Sequence, residues 1–109
     1  MLEGLGGNIE HYLDLLSARQ KLVASNLANA DTPGYKTQDI DFKREFMSQM
    51  GSAPTVQEVN GLVTKNDGNN VSVDREARLL AENALRFNIA SALVKGQINQ
   101  IRAAIQDGK

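Results

Sequence analysis

The chain has 109 residues, room for one small core and too little for two. Its 12 Lys plus Arg are balanced by 13 Asp plus Glu, a net charge of -1, and with no sustained basic run it is not built to bind nucleic acid through phosphates. Cysteine is absent and aromatic residues make up 5%, so disulfides, thiolate metal sites and cysteine nucleophiles are excluded and the core must be mostly aliphatic.

In chain order, Ile9, Leu13, Leu16, Gln20, Val23, Leu27 and Ala30 fall at alternating steps of four and three, a heptad seam on one helix. Gln20 sits at a core position of that seam. It either fixes register at some cost in stability or marks an exposed segment, and both readings stand. Pro33 disfavours helical geometry at Thr32, and Pro33-Gly34 suits a type II turn, so the helix is expected to stop near Ala30 or Asp31. Lys36 to Phe42 reads as extended, and Asp41 as the cap of a short helix presenting Phe42, Phe46, Met47 and Met50. Gly51 to Asn70 is rich in Gly, Asn, Ser and Thr, which predicts loop or disorder unless a partner orders it. A hairpin around Asp67-Gly68, with Leu62 to Lys65 and Asn70 to Val73 as arms, is the competing reading.

A second helix is expected from about Ser72 to Gln106, with Ser72 as cap and Asp74 and Glu76 in the first turn, where the helix dipole favours acids. Its seam is the longer one: Val73, Ala77, Leu80, Ala84, Phe87, Ser91, Val94, Ile98, Ile101 and Ile105. Leu79, Leu85, Ile89 and Leu93 widen that stripe, as on a helix with more than one neighbour. Gly108 and Lys109 suit a frayed terminus. Such a helix would run roughly 50 Å, which overshoots a compact globule with a radius of gyration of about 13 Å. The expected fold is therefore mainly α and elongated. Helices over 1–31 and 72–109 pair like a coiled coil in one structural domain. Residues 32–71 hold the turn, a short extended segment and helix, and a flexible loop, partly disordered in the free subunit. A helical hairpin closing its own core is the plainer alternative.

Candidate chemistry is sparse. His11 is the one histidine and reads as a surface or interhelical residue. Asp39 and Asp41 share one face of an extended stretch, where solvated charges are the simplest reading. Asn66 to Asn70 resembles a calcium loop in composition only and reads as a turn. Asn70-Val71-Ser72 fits a glycosylation sequon by a three-residue match. No phosphate loop, nucleophile elbow or triad set is found, so no catalytic residue, cofactor, metal or small-molecule substrate is expected and an enzyme reading has almost no support. No window approaches ~18 apolar residues, and Met1-Leu2-Glu3-Gly4 lacks the start of a cleavable secretory signal, so no transmembrane segment is expected and any export would use another route.

The most specific segment is Ser25-Asn26-Leu27-Ala28-Asn29-Ala30-Asp31-Thr32-Pro33-Gly34-Tyr35-Lys36. It resembles the N-terminal signature of the axial proteins of the bacterial flagellum, the rod and hook family, in which a helix ends in an Asn-rich turn followed by Thr-Pro-Gly-Tyr. Heptad-bearing helices at both ends resemble that family too. The short length without an inserted outer domain, Asp39-Ile40-Asp41-Phe42, and the run from Asp67 through Asp74-Arg75-Glu76 to Phe87 are most similar to a proximal rod subunit. The resemblance implies a structural subunit of the basal-body rod, in the periplasmic space after unfolded export through the flagellar type III apparatus. Its implied partners are other copies of itself, other rod proteins, and the basal ring and export apparatus at the rod base. It further implies helical assembly, with the two seams packing on neighbours and the signature turn seated against another subunit. A stand-alone helical adaptor or secretion chaperone would explain the heptads but not the signature.

Overall fold

The computed structural model describes residues 2–48 and 53–108, with side-chain surroundings from residue 7 onward. Five elements follow one another: helix α1 (Leu2–Ala28), strand β1 (Gln38–Ile40), helix α2 (Phe42–Met47), strand β2 (Val56–Glu58) and helix α3 (Val73–Asp107). The molecule is mainly helical and elongated, 69 × 25 × 17 Å with a radius of gyration of 18.1 Å. That is well above the value of about 13 Å for a compact chain of this length.

Local chemistry accounts for the helix ends. Ser72 caps α3 by accepting a hydrogen bond from the Arg75 N–H, and Asp74 and Glu76 occupy its first turn. Asp41 does the same for α2 through the Arg44 N–H. Helix α1 stops at Ala28, slightly before the expected limit, because the chain tightens there. The Asn29 N–H reaches the carbonyls of Ser25 and Asn26, and the Ala30 N–H bonds to Leu27 three residues back. Pro33-Gly34 then forms the expected type II turn: Gly34 has φ +77° and the Tyr35 N–H donates to the Thr32 carbonyl.

The middle segment departs from the expectation of loop alone. β2 pairs antiparallel with β1 in the register Gln38↔Glu58, Asp39↔Gln57 and Ile40↔Val56, which leaves Ile40 buried against the helices. The Asp67-Gly68 hairpin is corrected: residues 62–65 and 70–72 are not strands. Hydrogen bonds between Lys65 and Asn69 and between Gly68 and Lys65 close only a tight loop. The side chains of Asn69 and Asn70 turn inward and bond elsewhere, so no ladder extends from it. Met50, expected on the short helix, lies outside the described residues.

α1 and α3 pack antiparallel, for Asn26 meets Glu76 and Gln20 meets Asn83. The core they enclose is aliphatic: Leu15, Leu16, Val23, Ile40, Val71 and Ala90. On α3 the buried positions are Glu76, Asn83 and Ala90. They are spaced by sevens, but each lies one residue before Ala77, Ala84 and Ser91 of the apolar heptads.

Candidate functional site

The signature folds into a joint at one end of the helix pair. Asn26 is fully buried and makes four hydrogen bonds. Its Nδ2 donates to the Gln38 carbonyl at 2.9 Å and to Glu76 Oε1 at 3.1 Å. Its Oδ1 accepts from the Tyr35 hydroxyl at 3.0 Å and from the Gln38 N–H at 3.1 Å. One side chain thereby holds α1, the turn, β1 and α3 together. Asn29 closes the helix end locally: its Nδ2 donates to the Ser25 carbonyl at 2.9 Å, and its Oδ1 accepts from the Thr32 hydroxyl at 3.0 Å.

The Lys65–Asn69 loop locks this turn from outside. Asn69 is fully buried, and its Nδ2 donates to the carbonyls of Asn29 and Thr32, both at 2.8 Å. The Gly34 N–H bonds to the Asp67 carbonyl. Lys65 Nζ satisfies the Ala30 carbonyl, and Lys36 Nζ the Gly68 carbonyl. A Cβ added to Gly68, whose φ is +87°, would lie 3.3 Å from Gly34 Cα, so the two glycines permit the close approach. The turn therefore seats on one side against a loop of its own chain. Asp31, Thr32, Pro33 and Gly34 stay exposed on its outer side with Ser25 and Ala28, while Leu27 is half-buried.

Behind the joint lies an ionic cluster. Asp39 is 6% exposed and accepts from Arg19 at 2.9 and 3.1 Å and from Arg75 at 2.7 Å. Burial by itself raises the Asp39 pKa. The Arg19 hydrogen bonds, the Ile40 N–H, the Arg19 charge and Arg75 outweigh it, so the carboxyl sits below its ordinary value near 3.8. Arg75 also reaches Glu76 Oε1 at 2.7 Å. Glu76 Oε2 is buried with no hydrogen-bond partner among the described residues. The reading of Asp39 as a solvated charge is thus corrected: its partners stand 20 and 36 residues away. Asp41 is the α2 cap.

At the other end, His11 is interhelical. Its Nε2–H donates to the Glu45 carbonyl at 3.0 Å, and its ring stacks on Phe46. Tyr12 meets Phe42 and Phe46 edge-on, and the Arg86 guanidinium lies 5.6 Å over Phe42. Three of the five Phe and Tyr residues, Tyr12, Phe42 and Phe46, gather where α2 packs on α1.

The seam residues are unevenly placed. On α1, Leu16 and Val23 are buried, and Ile9, Leu13, Gln20 and Leu27 are half-buried. On α3, Val73, Ala77, Leu80, Ala84, Phe87, Ile98, Ile101 and Ile105 are exposed, with Ser91 and Val94 half-buried. Among the described residues no His, Asp or Glu cluster is fit to hold a metal ion, and no helix is long and apolar enough to cross a membrane.

A family profile described as "Flagella basal body rod protein" matches residues 13–36, the second half of α1 and the whole signature turn. The flagellar basal body rod protein FlgB of Yersinia enterocolitica is 31% identical, with 99% of this chain and 100% of that protein aligned. FlgB of Escherichia coli (strain K12) is 30% identical over 88% of each chain. This chain belongs to the FlgB family of flagellar basal body rod proteins. FlgB of Bacillus subtilis (strain 168) is 24% identical over 100% of this chain and 98% of that protein, so the likeness runs from end to end, beyond the signature. Membership in the FlgB family assigns a structural role in the flagellar rod. Within the signature, Asn26 ties the end of α1 to Tyr35, β1 and α3, while Asn29, Thr32 and Gly34 close the turn and its contact with the 65–69 loop. Three participants have long-range roles that no local sequence pattern names. Asn69, Glu76 and Arg75 act across 36 to 50 residues, and only the Asp67 to Glu76 stretch noted for its resemblance pointed toward them.

Proposed function

We propose that this chain is a subunit of the proximal rod, exported unfolded by the flagellar type III apparatus and assembled helically, in the periplasmic space, with copies of itself and other rod proteins. The observation that carries this reading is an inversion of the usual order of burial. Polar groups such as Asn26, Asn69, Asn83 and Glu76 are buried, whereas Leu80, Phe87, Ile98 and Ile101 are each at least 40% exposed. Contiguous apolar surface of that kind marks a contact with another protein. The residues concerned are the heptad seam of α3, facing outward, with Ile9, Leu13, Gln20 and Leu27 of α1 half-covered beside it. The joint leaves few hydrogen-bonding demands for a neighbour to meet, so it sets the angle between helices while the seams supply adhesion. Absence of cysteine suits passage as an unfolded chain, since no disulfide could hold it closed. The basal ring and export apparatus are the partners expected at the rod base.

The test is electron microscopy of basal bodies extracted from cells lacking this protein and from cells carrying a restored copy. Rings without a rod, with the rod recovered on restoration, are expected. Complete rods in the deletion strain would overturn the proposal.

A further inference from the structure

The two seams converge on one flank of the helix pair, where an open groove of about 410 Å³ runs between Leu16, Ser17 and Gln20 of α1 and Leu80, Ala84 and Phe87 of α3. Two helices with an apolar groove between them are completed by a third helix laid along it. The same chain carries a helix segment of the right form. Ile98, Ile101 and Ile105 stand at i, i+3 and i+7 with exposures of 44%, 44% and 70%, and every described α3 residue after Gln97 is exposed.

Charge selects the occupant. Between Arg86 and Asp107 the only charged residues of α3 are Lys95 and Arg102, seven apart and hence on one edge of the isoleucine stripe. α1 carries Glu3, Glu10 and Asp14 but no Lys or Arg before Arg19. Glu10 and Asp14 are exposed and lie one heptad and one turn before Ser17, on the α1 edge of the groove. None of Glu10, Asp14, Lys95 and Arg102 forms an ion pair among the described residues. Lys21 marks the opposite end of that edge and repels a basic segment, which fixes the direction of approach. The isoleucine segment cannot reach the groove of its own chain. Antiparallel packing sets residues 98–105 level with the start of α1, roughly 20 Å from Ser17 along the axis.

We propose that the Ile98–Ile105 segment of one copy docks in the α1–α3 groove of a second copy, with Lys95 and Arg102 facing Glu10 and Asp14. The contact joins two different surfaces, so it is head-to-tail and staggered along the long axis, and it extends without closing. It deepens the rod-subunit reading and rests on it.

The cysteine-free chain permits a direct test. Two full-length populations, Ser17→Cys and Ile101→Cys, are mixed at high concentration and oxidised, and the same pair is co-produced in cells whose basal bodies are then extracted and oxidised. A disulfide between S17C and I101C is expected, which by its reach of about 7 Å cannot form within one chain. Lys95→Glu with Arg102→Glu on the I101C chain should lower its yield about tenfold, and Glu10→Lys with Asp14→Lys on the S17C chain should restore it. Circular dichroism of each variant confirms folding. Dominant S17C–S17C or I101C–I101C products, absence of the mixed product from basal bodies, or a yield indifferent to the charges would overturn the docking. Failure of the rod reading is distinguishable: a rod lost on deletion together with no mixed disulfide removes the groove contact alone, whereas a rod that survives deletion removes both.

Discussion

Replacing Asn26 by Ala should do more damage than any other single truncation at the joint. The side chain is fully buried and makes four hydrogen bonds to three separate elements. A typical hydrogen bond contributes about 1 kcal/mol net, and a buried group left without its partner costs about 1–3 kcal/mol. Asn26→Ala deprives the Gln38 N–H and carbonyl of the Asn26 side chain and takes a donor from Glu76, whose other oxygen has no partner among the described residues. Tyr35 retains Ser25 as a neighbour at 3.3 Å. The loss therefore sums to about 3–5 kcal/mol, a large share of the roughly 5–15 kcal/mol that stabilises a domain. Thermal unfolding followed by circular dichroism should show a midpoint lower by on the order of 20 °C. Asn29→Ala provides the comparison. Its side chain makes two exposed bonds, so the change should cost about 1 kcal/mol. Equal midpoints for the two variants, or an Asn26→Ala midpoint within a few degrees of the parent, would refute the account of the joint.

Gly34→Val should be destabilising by about 1–3 kcal/mol, because Gly34 has φ +77° and a β-branched residue is strained there even though open space surrounds its Cβ. A wild-type urea midpoint and normal rod assembly would reject the turn assignment. Asp39 has a depressed pKa when folded, so its contribution to stability is complete above the ordinary value near 3.8 and is lost as pH falls through the folded value. Urea unfolding between about pH 6 and pH 2 should therefore show a steeper acid loss for the parent than for Asp39→Asn; parallel curves would count against the ionic cluster. Leu27→Asp places a charge on a half-buried seam position and should abolish rod assembly, so normal motility in that mutant would contradict the seam. Phe87→Asp separates assembly from folding. The side chain is 46% exposed, so the midpoint should move by less than about 1 kcal/mol while incorporation into basal bodies is lost.

Interactions closed within three or four residues were legible in the sequence, and those closed over dozens were not. Ser72 with Arg75, Asp41 with Arg44 and Thr32 with Tyr35 are each a local pattern whose partner is fixed by helix or turn geometry. Asn69 with Asn29 and Arg75 with Asp39 have separations of 40 and 36, and no local rule names such partners. Heptad spacing located both long helices but left open which way α3 is rotated. One residue is a rotation of about 100°, and α3 turns Glu76, Asn83 and Ala90 inward in place of Ala77, Ala84 and Ser91. The polar partners explain that choice. Asn83 meets Gln20, Glu76 meets Asn26 and Arg75, and only the antiparallel register brings both pairs together at once. Gln20 is half-buried at the helix interface and accepts a hydrogen bond from Asn83 Nδ2 at 3.4 Å. Directional bonds of this kind discriminate among alignments that an apolar stripe would accept indifferently. Spending the inner face of α3 on them leaves Leu80, Phe87, Ile98 and Ile101 outside, and that exposed apolar stripe is the surface on which the proposed contact with a neighbour rests.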